Sequence, residues 1–339
     1  MSATIPAETT PAQTQADLEA LQHDLKALQA EVQNVIVGQD RVIIGAITCL
    51  LAGGHGLLEG VPGLGKTLLI RTLANAVRLE FNRIQFTPDL MPADIVGTSV
   101  LQSDEGTGAH RLTYQPGPVF ANIVLADEIN RATPKTQSAL LEAMAEGTVT
   151  TGGETRKLED PFLVLATQNP LEMEGTYPLP EAQLDRFMFK INVDFPAEDE
   201  LVAILNRTTG SATQAAKPVL DGPRILAMRA LVRAIPVADT LTRYVVRLLR
   251  ATHPDDSNAP ALVKEYVRFG GSPRGAQSML LAARIRCSID GRLAPSIDDV
   301  RAVALPALRH RVALNFQGEA DGIDVDDCLR QVLKSVPTD

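Results

Sequence analysis

The sequence predicts an α/β domain, built on a parallel sheet, followed by a second domain made of helices. From Val35 to about Pro196, short apolar runs alternate with amphipathic helices, which is the pattern of a parallel sheet covered by helices on both faces. After Pro196 the strand signal disappears and helical periodicity dominates. The length of 339 residues and the hydrophobic content of 45% are ordinary for a globular protein of two domains.

The chain begins with a segment rich in Thr, Pro and Ala, a composition typical of a disordered tail. From Leu18 to Val32, apolar residues then recur at steps of three and four, which predicts one apolar helix face. We therefore expect a disordered tail over residues 1–16, the α/β domain over 17–198 and the helical domain over 199–339. The longest apolar run, VIIGAITCLLAGG, is too short to cross a bilayer and no signal peptide precedes it, so we expect a cytoplasmic protein without membrane contact.

Five apolar runs are the candidate strands of a parallel five-stranded sheet between helices: HGLLEG, NRIQFT, NIVLAD, FLVLATQ and FMFKINV. Two inserts interrupt the alternation of strands and helices. The first, over about 97–117, has a polar, glycine-rich turn between two strand-like arms, and the second, over about 147–161, predicts a hairpin around Gly152 and Gly153. Each insert is expected to be exposed, either as a functional loop or as an ordinary solvent loop.

The composition disfavours several classes of function. A formal net charge of -9 argues against general polyanion binding, and an aromatic content of 4% without Trp argues against recognition of nucleic acid by base stacking. Cys49, Cys287 and Cys328 lie far apart and form no metal-like spacing, so we interpret them as reduced thiols.

A phosphate-binding loop is the clearest motif. GVPGLGKT fits the pattern G-x-x-x-x-G-K-[ST], follows a strand-like run and opens a helical one, so that backbone N–H groups can close around phosphate oxygens. We expect Lys66 to reach the β- and γ-phosphates of ATP and Thr67 to hold Mg²⁺. Before the first long helix, Val37 and Gly38 could form part of an apolar seat for the nucleobase. The other residues expected to contact the nucleotide are Gly60, Pro62, Gly63, Leu64 and Gly65.

Two further strands end in polar residues that suit the same chemistry. The run NIVLADE ends in Asp127, a candidate ligand of Mg²⁺ through water, and Glu128, which would orient or deprotonate the attacking water. One of the two could instead cap the next helix. The run VLATQNP reaches Asn169, whose amide could contact the γ-phosphate or the water, although a turn-forming Asn before Pro170 is the alternative.

The second domain contributes one candidate, in the run GGSPRGAQ. Ser272 is expected to cap a helix, Pro273 to occupy its first turn and Arg274 to project from its beginning. A cation is electrostatically unfavourable at a helix N-terminus unless an anion lies nearby, and the γ-phosphate of a nucleotide would be such an anion. A surface arginine with a carboxylate partner is the alternative.

Taken in this order, the motifs resemble the AAA+ ATPases and, within them, the MoxR family. The runs that carry the resemblance are TPDLMPADIVG, GPVFANIVLADEINRATPKTQSALLEAM and PFLVLATQNPLEMEGTYPLPEAQLDRFMF, and it covers nearly the whole chain after about Val35. The resemblance implies an AAA+ P-loop domain with a C-terminal all-helical lid, ATP and Mg²⁺ as ligands, and a homo-oligomeric ring, commonly a hexamer. It makes the first insert the family's helix-two insert and the second its pre-sensor hairpin, loops that in related ATPases face the ring pore or the client.

The resemblance also implies roles for single residues. It assigns sensor one to Asn169, sensor two to Arg274 and the arginine finger to Arg186, which would act in the ATP site of the neighbouring subunit. An internal salt bridge of Arg186 with one of the acidic residues of LPEAQLDRF is the alternative. Arg131 is a further candidate for action across the subunit boundary.

Members of this family are typically chaperone-like and act on, or with, proteins that carry von Willebrand factor A domains. The resemblance thus implies a magnesium-dependent ATPase that remodels or matures a protein client. A magnesium-chelatase-like motor subunit and a non-hydrolysing adaptor are alternatives, and Glu128 argues against the adaptor. A nucleic-acid motor is a further alternative, because a set of arginines in the second domain could follow phosphates. These are Arg229, Arg233, Arg243, Arg247, Arg250, Arg284 and Arg286.

Overall fold

The structure is a computed structural model and describes residues 11–103, 110–170, 175–209 and 215–338. The elements of the α/β domain are α1 (Pro11–Val35), α2 (Asp40–Ala52), β1 (Gly56–Glu59), α3 (Lys66–Ala76), β2 (Phe81–Gln85), α4 (Pro92–Val96), β3 (Gly97–Ser103), β4 (His110–Pro116), β5 (Ile123–Asp127), α5 (Pro134–Glu146), β6 (Thr148–Thr151), β7 (Glu154–Lys157), β8 (Leu163–Gln168), α6 (Glu181–Leu184) and β9 (Phe189–Asn192). A short 3₁₀ turn, Ile129–Arg131, follows β5.

The elements of the lid follow those of the α/β domain in the chain. They are α7 (Glu198–Thr208), α8 (Gly222–Ala234), α9 (Asp239–Ala251), α10 (Ala261–Tyr266), β10 (Val267–Phe269), α11 (Pro273–Ile289), α12 (Ile297–Leu308), β11 (Ala313–Leu314), α13 (Phe316–Ala320) and α14 (Val325–Ser335).

The five predicted strands form one parallel sheet in the order β2-β5-β8-β1-β9. In the register of this sheet Glu59 lies beside Gln168, and Gln85 lies beside Asp127. The carboxyl ends of β1, β5 and β8 therefore meet at one edge. This is the edge at which open α/β sheets bind their ligands.

Apolar side chains that alternate along the strands build a separate core on each face of the sheet. Leu57 of β1 points into a cluster with α5, whereas Leu58 points into a larger cluster that contains α1, α2, α3 and the lid helices. Successive side chains of a strand point to opposite faces, so β1, β5 and β8 each contribute to both clusters, whereas the buried residues of β9, Phe189 and Ile191, belong to the larger one. The lid is thus continuous with the apolar core on one face of the sheet.

Helix α1 joins the two domains. Its apolar stripe, which includes Leu21, Leu25 and Leu28, is buried at the predicted three- and four-residue steps against α2, α3 and the lid helices α8 and α11. The helix begins at Pro11, so residues 11–16 of the expected disordered tail are helical. Residues 1–10 of that tail lie outside the described residues.

The helical lid is present as predicted, with one correction to its all-helical description. Strands β10 and β11 form a small antiparallel pair. Both inserts contain antiparallel strands, β3 with β4 and β6 with β7. The second insert turns through Gly152 and Gly153 at φ of 62° and 82°, as a two-residue hairpin loop requires. The glycine-rich turn expected in the first insert falls at 104–109, outside the described residues. Among the helices of the described ranges, we find none with the length and apolar content that crossing a bilayer requires.

Candidate nucleotide site

The phosphate-binding loop lies between β1 and α3, as its motif predicts. Gly63 and Gly65 have φ of 85° and 74°, which glycine adopts without strain. A β-carbon added at either glycine would meet no atom within 4 Å, so the loop is open on its outer side. Gly60 is packed instead, because a β-carbon there would lie 2.7 Å from the carbonyl oxygen of Val193.

Lys66 is the first residue of α3, and its ammonium group folds back over the loop. Its Nζ donates to the carbonyl oxygens of Gly60 at 2.5 Å and Val61 at 3.4 Å. Partial burial lowers the pKa of Lys66, whereas the carboxylates of Asp127 and Glu128 act to raise it. The structure therefore brings the lysine of the loop into the electrostatic range of both acidic residues at the end of β5.

The hydroxyl of Thr167 on the neighbouring strand β8 fixes the backbone and the carboxylate at the end of β5. This buried hydroxyl donates to Oδ1 of Asp127 at 2.6 Å and accepts from the backbone N–H of Glu128 at 2.8 Å. The other oxygen of Asp127, Oδ2, accepts from Nε and Nη2 of Arg83 at 3.0 and 2.7 Å. Both oxygens of Asp127 thus have donors within the chain.

Glu128 turns the chain away from β5 with a φ of 57°, a conformation uncommon for a residue other than glycine. Its Oε2 accepts from Nε2 of Gln85 at 2.8 Å and from Nη1 of Arg131 at 2.9 Å. In the described part of the chain, neither Glu128 nor Asp127 caps the turn or helix that follows with its side chain. The capping alternative is therefore not what the structure shows.

The residues expected to hold Mg²⁺ fit that ion. Mg²⁺ prefers oxygen ligands, and a site for it commonly consists of one or two carboxylates completed by water and substrate phosphates. Asp127 supplies a carboxylate, and the hydroxyl of Thr67 has no hydrogen-bond partner among the described residues. The described ranges also contain no cluster of three or more His, Cys, Asp or Glu that would form a metal cage without a substrate.

A cavity of about 310 Å³ adjoins the loop. Val37 and Leu64, both expected to contact the nucleotide, line it together with Phe195 and Leu201 from the far side. Gln39 links the segment around Val37 to the phosphate-binding loop, because its Nε2 donates to the carbonyl oxygen of Leu64 at 2.9 Å. The apolar lining and the open glycines beside it suit a nucleobase next to its phosphates.

Gly38, the other residue expected at the base seat, has a φ of 64°. A β-carbon added there would lie 2.1 Å from the carboxylate of Glu200 on α7. The glycine therefore permits a close approach between the base seat and the first lid helix.

Asn169 follows β8 directly and is buried, with 6% of its surface exposed. Because β8 lies between β5 and β1, this places Asn169 between the strand that ends in the acidic pair and the strand that leads into the phosphate loop. The contact of Asn169 with phosphate or water stays a prediction.

Arg274 lies at the start of α11 and pairs with a carboxylate of the α/β domain. Its Nη1 is 3.4 Å from Oδ2 of Asp185, which matches the alternative that the sequence left open. Ser272 stands at the N-cap position of α11, but contrary to expectation its side chain makes no capping hydrogen bond. Its hydroxyl donates to Oδ1 of Asp185 at 2.5 Å. Burial acts to raise the pKa of Asp185, but hydrogen bonds from Ser272 and Arg311 outweigh it and lower that pKa overall.

Arg186 is exposed, and its Nη1 donates to the carbonyl oxygen of Leu141 at 2.6 Å. The internal salt bridge considered as an alternative is not formed with Asp185 or with Glu181. Asp185 pairs with lid arginines, and Glu181 pairs with Arg268. Within the described residues, Arg186 has no carboxylate partner.

Four residues of this region were not foreseen from the sequence: Arg83, Gln85, Thr167 and Arg311. The first two lie two positions apart on β2 and so share a face, a signal that was present in NRIQFT. The sequence does not show that these two side chains reach Asp127 and Glu128, because that depends on the strand order, which places β2 beside β5.

Comparisons with known proteins agree with this geometry. The model of the ATPase family associated with various cellular activities matches residues 55–189, and the model of the AAA lid domain matches residues 259–332. A crystal structure of a candidate ATPase from Cytophaga hutchinsonii superposes with a TM-score of 0.89 at 37% identity, covering 96% of this chain and 98% of that one.

Several curated relatives are similar over most of their length. The Mycobacterium tuberculosis protein named Chaperone MoxR1 is 45% identical over 287 residues, which cover 85% of this chain and 75% of that protein. The Paracoccus denitrificans protein named MoxR is 34% identical over 282 residues, which cover 78% and 81%. The uncharacterized protein YeaC of Bacillus subtilis is 41% identical over 292 residues, which cover 86% and 87%.

Proposed function

Because the chain belongs to the MoxR family of AAA+ ATPases, we propose that it hydrolyses ATP with Mg²⁺ in a ring and so remodels or matures a protein client. The observation that carries the proposal is that the phosphate-binding loop with Lys66 follows β1, while Asp127 and Glu128 stand at the end of β5, at the same carboxyl edge of one parallel sheet. A lysine that binds phosphate and an acidic pair that serves metal and water are the parts that hydrolysis of a nucleoside triphosphate needs.

Each part of the site has a proposed task. Lys66 and the loop N–H groups bind the phosphates, Thr67 and Asp127 hold the magnesium ion, and Asn169 contacts the γ-phosphate or the attacking water. When bound, the metal neutralises charge that develops on the phosphate oxygens. Glu128 orients the water and accepts its proton. Gln85 and Arg131 orient this carboxylate, since both donate to its Oε2.

The proposal extends to the assembly. We infer a cytoplasmic hexameric ring in which Arg186 of one subunit completes the ATP site of the next, while Arg274 responds to the γ-phosphate of its own site. The exposed position of Arg186 supports the first assignment. The long contact from Arg274 to Asp185 supports the second, because a weak exposed ion pair is easily exchanged for a phosphate. Chaperone MoxR1 supports a protein client by its name, and a von Willebrand factor A-domain protein is the proposed partner.

The nucleic-acid alternative finds little support in the lid. Most of the lid arginines that were considered for binding a nucleic-acid backbone contact hydrogen-bond acceptors of this chain instead. These contacts are Arg229 to the carbonyl of Leu50, Arg233 to the carbonyl of Ala52, Arg247 to the carbonyl of Pro337, and ion pairs of Arg243 with Asp239, Arg250 with Asp256 and Arg286 with Asp299. The arrangement favours ion-paired helix faces and helix C-terminal caps.

Phosphate release and ATP binding, measured on the same preparations, test the proposal. We expect Glu128→Gln to bind ATP normally and to lose hydrolysis by about 10²–10⁴-fold, the usual contribution of a general base. Lys66→Ala should lose ATP binding. Glu142→Gln, an exposed carboxylate on α5, is the matched control and should hydrolyse ATP at the wild-type rate. Normal turnover by Glu128→Gln would refute the assignment of the base.

A further inference from the structure

Strand β2 presents two polar side chains to the acidic pair, and each contacts a different acid. Arg83 and Gln85 lie two positions apart, so both project from the same face of β2. Arg83 donates twice to Oδ2 of Asp127, at 3.0 and 2.7 Å, and Gln85 donates to Glu128 at 2.8 Å. Nη2 of Arg83 also donates to Oε1 of Gln85, which fixes the orientation of that amide. One arginine thus connects to both acids.

The guanidinium covers Asp127 from the solvent side. The side chain of Arg83 is 46% exposed, whereas that of Asp127 is only 14% exposed. Since Thr167 donates to Oδ1 at 2.6 Å, the arginine occupies the other oxygen of the carboxylate proposed to hold Mg²⁺. A positive charge at this distance and a divalent cation at the same carboxylate must repel each other.

From this geometry we propose that Arg83 is the counter-ion of Asp127 and that it weakens the binding of Mg²⁺ to this carboxylate. Arg83 is a positioning residue, because it acts through Asp127. The inference rests on the proposed function, in which Asp127 serves the metal of a bound nucleotide.

Two opposite effects on the nucleotide follow. Without metal, Arg83 neutralises Asp127 and so reduces its repulsion of the phosphates. With metal, Arg83 competes for the same carboxylate. Removal of Arg83 should therefore weaken nucleotide binding in the absence of Mg²⁺ and strengthen it in the presence of Mg²⁺. The ratio of the two dissociation constants measures this coupling between metal and nucleotide, which is reciprocal.

The experiment compares dissociation constants for a fluorescent ADP analogue in EDTA and in excess magnesium chloride. We expect Arg83→Gln to raise the ratio of Kd in EDTA to Kd in Mg²⁺ by about two- to fivefold, the scale of a partly exposed ion pair. Arg83→Lys keeps the charge and should stay close to the wild-type ratio. A loss of folding or packing would change both constants by the same factor and leave the ratio unchanged.

Arg71→Gln is the matched control, because Arg71 is an exposed arginine on α3 that lies over the ring of Phe81, 5.8 Å from its centroid, and not against Asp127. Its ratio should equal that of the wild type. Suppose that nucleotide binding to the wild type depends on Mg²⁺ but Arg83→Gln leaves the ratio unchanged. This result would overturn the inference about Arg83 and leave the proposed function standing. A wild-type ratio near one would instead contradict the proposed role of magnesium.

Discussion

At the scale of single residues, two buried histidines are held in the neutral form by their surroundings. Nδ1 of His55 accepts from the backbone N–H of Val164 at 3.0 Å, so Nε2 carries the proton and donates to the carbonyl oxygen of Met144 at 3.0 Å. Nε2 of His310 lies 2.9 Å from the carbonyl oxygen of Phe187. Burial lowers the pKa of His55 from 6.5 to about 4 and that of His310 to about 3.

These shifts predict a stability that is lost in acid. Between the lowered pKa and 6.5, the unfolded chain binds a proton that the folded chain does not, so the free energy of unfolding falls as pH decreases. Each histidine contributes at most about 1.4 kcal/mol per pH unit. Urea midpoints measured from neutral pH down to pH about 5 check this. The decline should be shallower in His55→Gln than in the wild type, and unaltered in a His23→Gln control, whose side chain is exposed. Equal slopes in all three would contradict it.

At the scale of elements, the lid is joined to the sheet through Arg311, which follows α12 and is buried with 2% of its side chain exposed. Its Nε donates to Oδ1 of Asp185 at 2.8 Å, and its Nη2 donates to the carbonyl oxygens of Asp185 and Phe187 at 2.9 and 2.7 Å. Nη1 donates to the carbonyl oxygens of Met188 at 3.1 Å and of Ala307. The chain segment that carries Arg186 is therefore fixed by a residue of the lid.

Arg311→Met should destabilise the folded protein by about 3–5 kcal/mol, because it breaks a largely buried ion pair with Asp185 and removes the charged donor of several backbone carbonyls. The control is Arg268→Gln, which removes the exposed ion pair with Glu181 at the same junction and should cost about 1 kcal/mol or less. Chemical denaturation of both variants provides the measurement. Similar losses in the two variants would show that Arg311 does not anchor the lid.

The elements that the sequence predicts well are those specified by local pattern. The five strands and the two-glycine hairpin follow from apolar runs and turn residues, and the phosphate loop with its acidic pair follows from motif spacing. Strands β10 and β11, of three and two residues, are too short to show alternation. Contacts between distant positions are not visible in local pattern either. Arg311 contacts Asp185 across 126 positions in the chain, and Ser272 donates to the same carboxylate across 87.

At the scale of the whole molecule, the proposed ring would give the exposed Arg186 an anion to contact. The two acidic residues of the segment LPEAQLDRF form ion pairs with other arginines. Asp185 pairs with Arg311 and Arg274, and Glu181 pairs with Arg268. The guanidinium of Arg186 therefore remains at the surface with a carbonyl as its hydrogen-bond acceptor. A phosphate in a neighbouring subunit would supply the anion that the described part of this chain does not.

Mixed assemblies can separate action on the neighbour from action within one chain. Arg186→Ala subunits keep an intact nucleotide site but offer no arginine, whereas Lys66→Ala subunits offer the arginine but bind no ATP. Each variant alone should lose most ATP hydrolysis, by about 10³–10⁵-fold for the arginine. Mixing them should restore activity, because some intact sites then face an intact Arg186. Capture of an affinity-tagged variant, with nucleotide present, must recover the untagged variant and so show that the two share one assembly. A mixture of Glu128→Gln with Lys66→Ala gives the inactive baseline, because no subunit in it has a competent site. Co-assembly of Arg186→Ala with Lys66→Ala without any recovered hydrolysis would contradict the action of Arg186 across the subunit boundary.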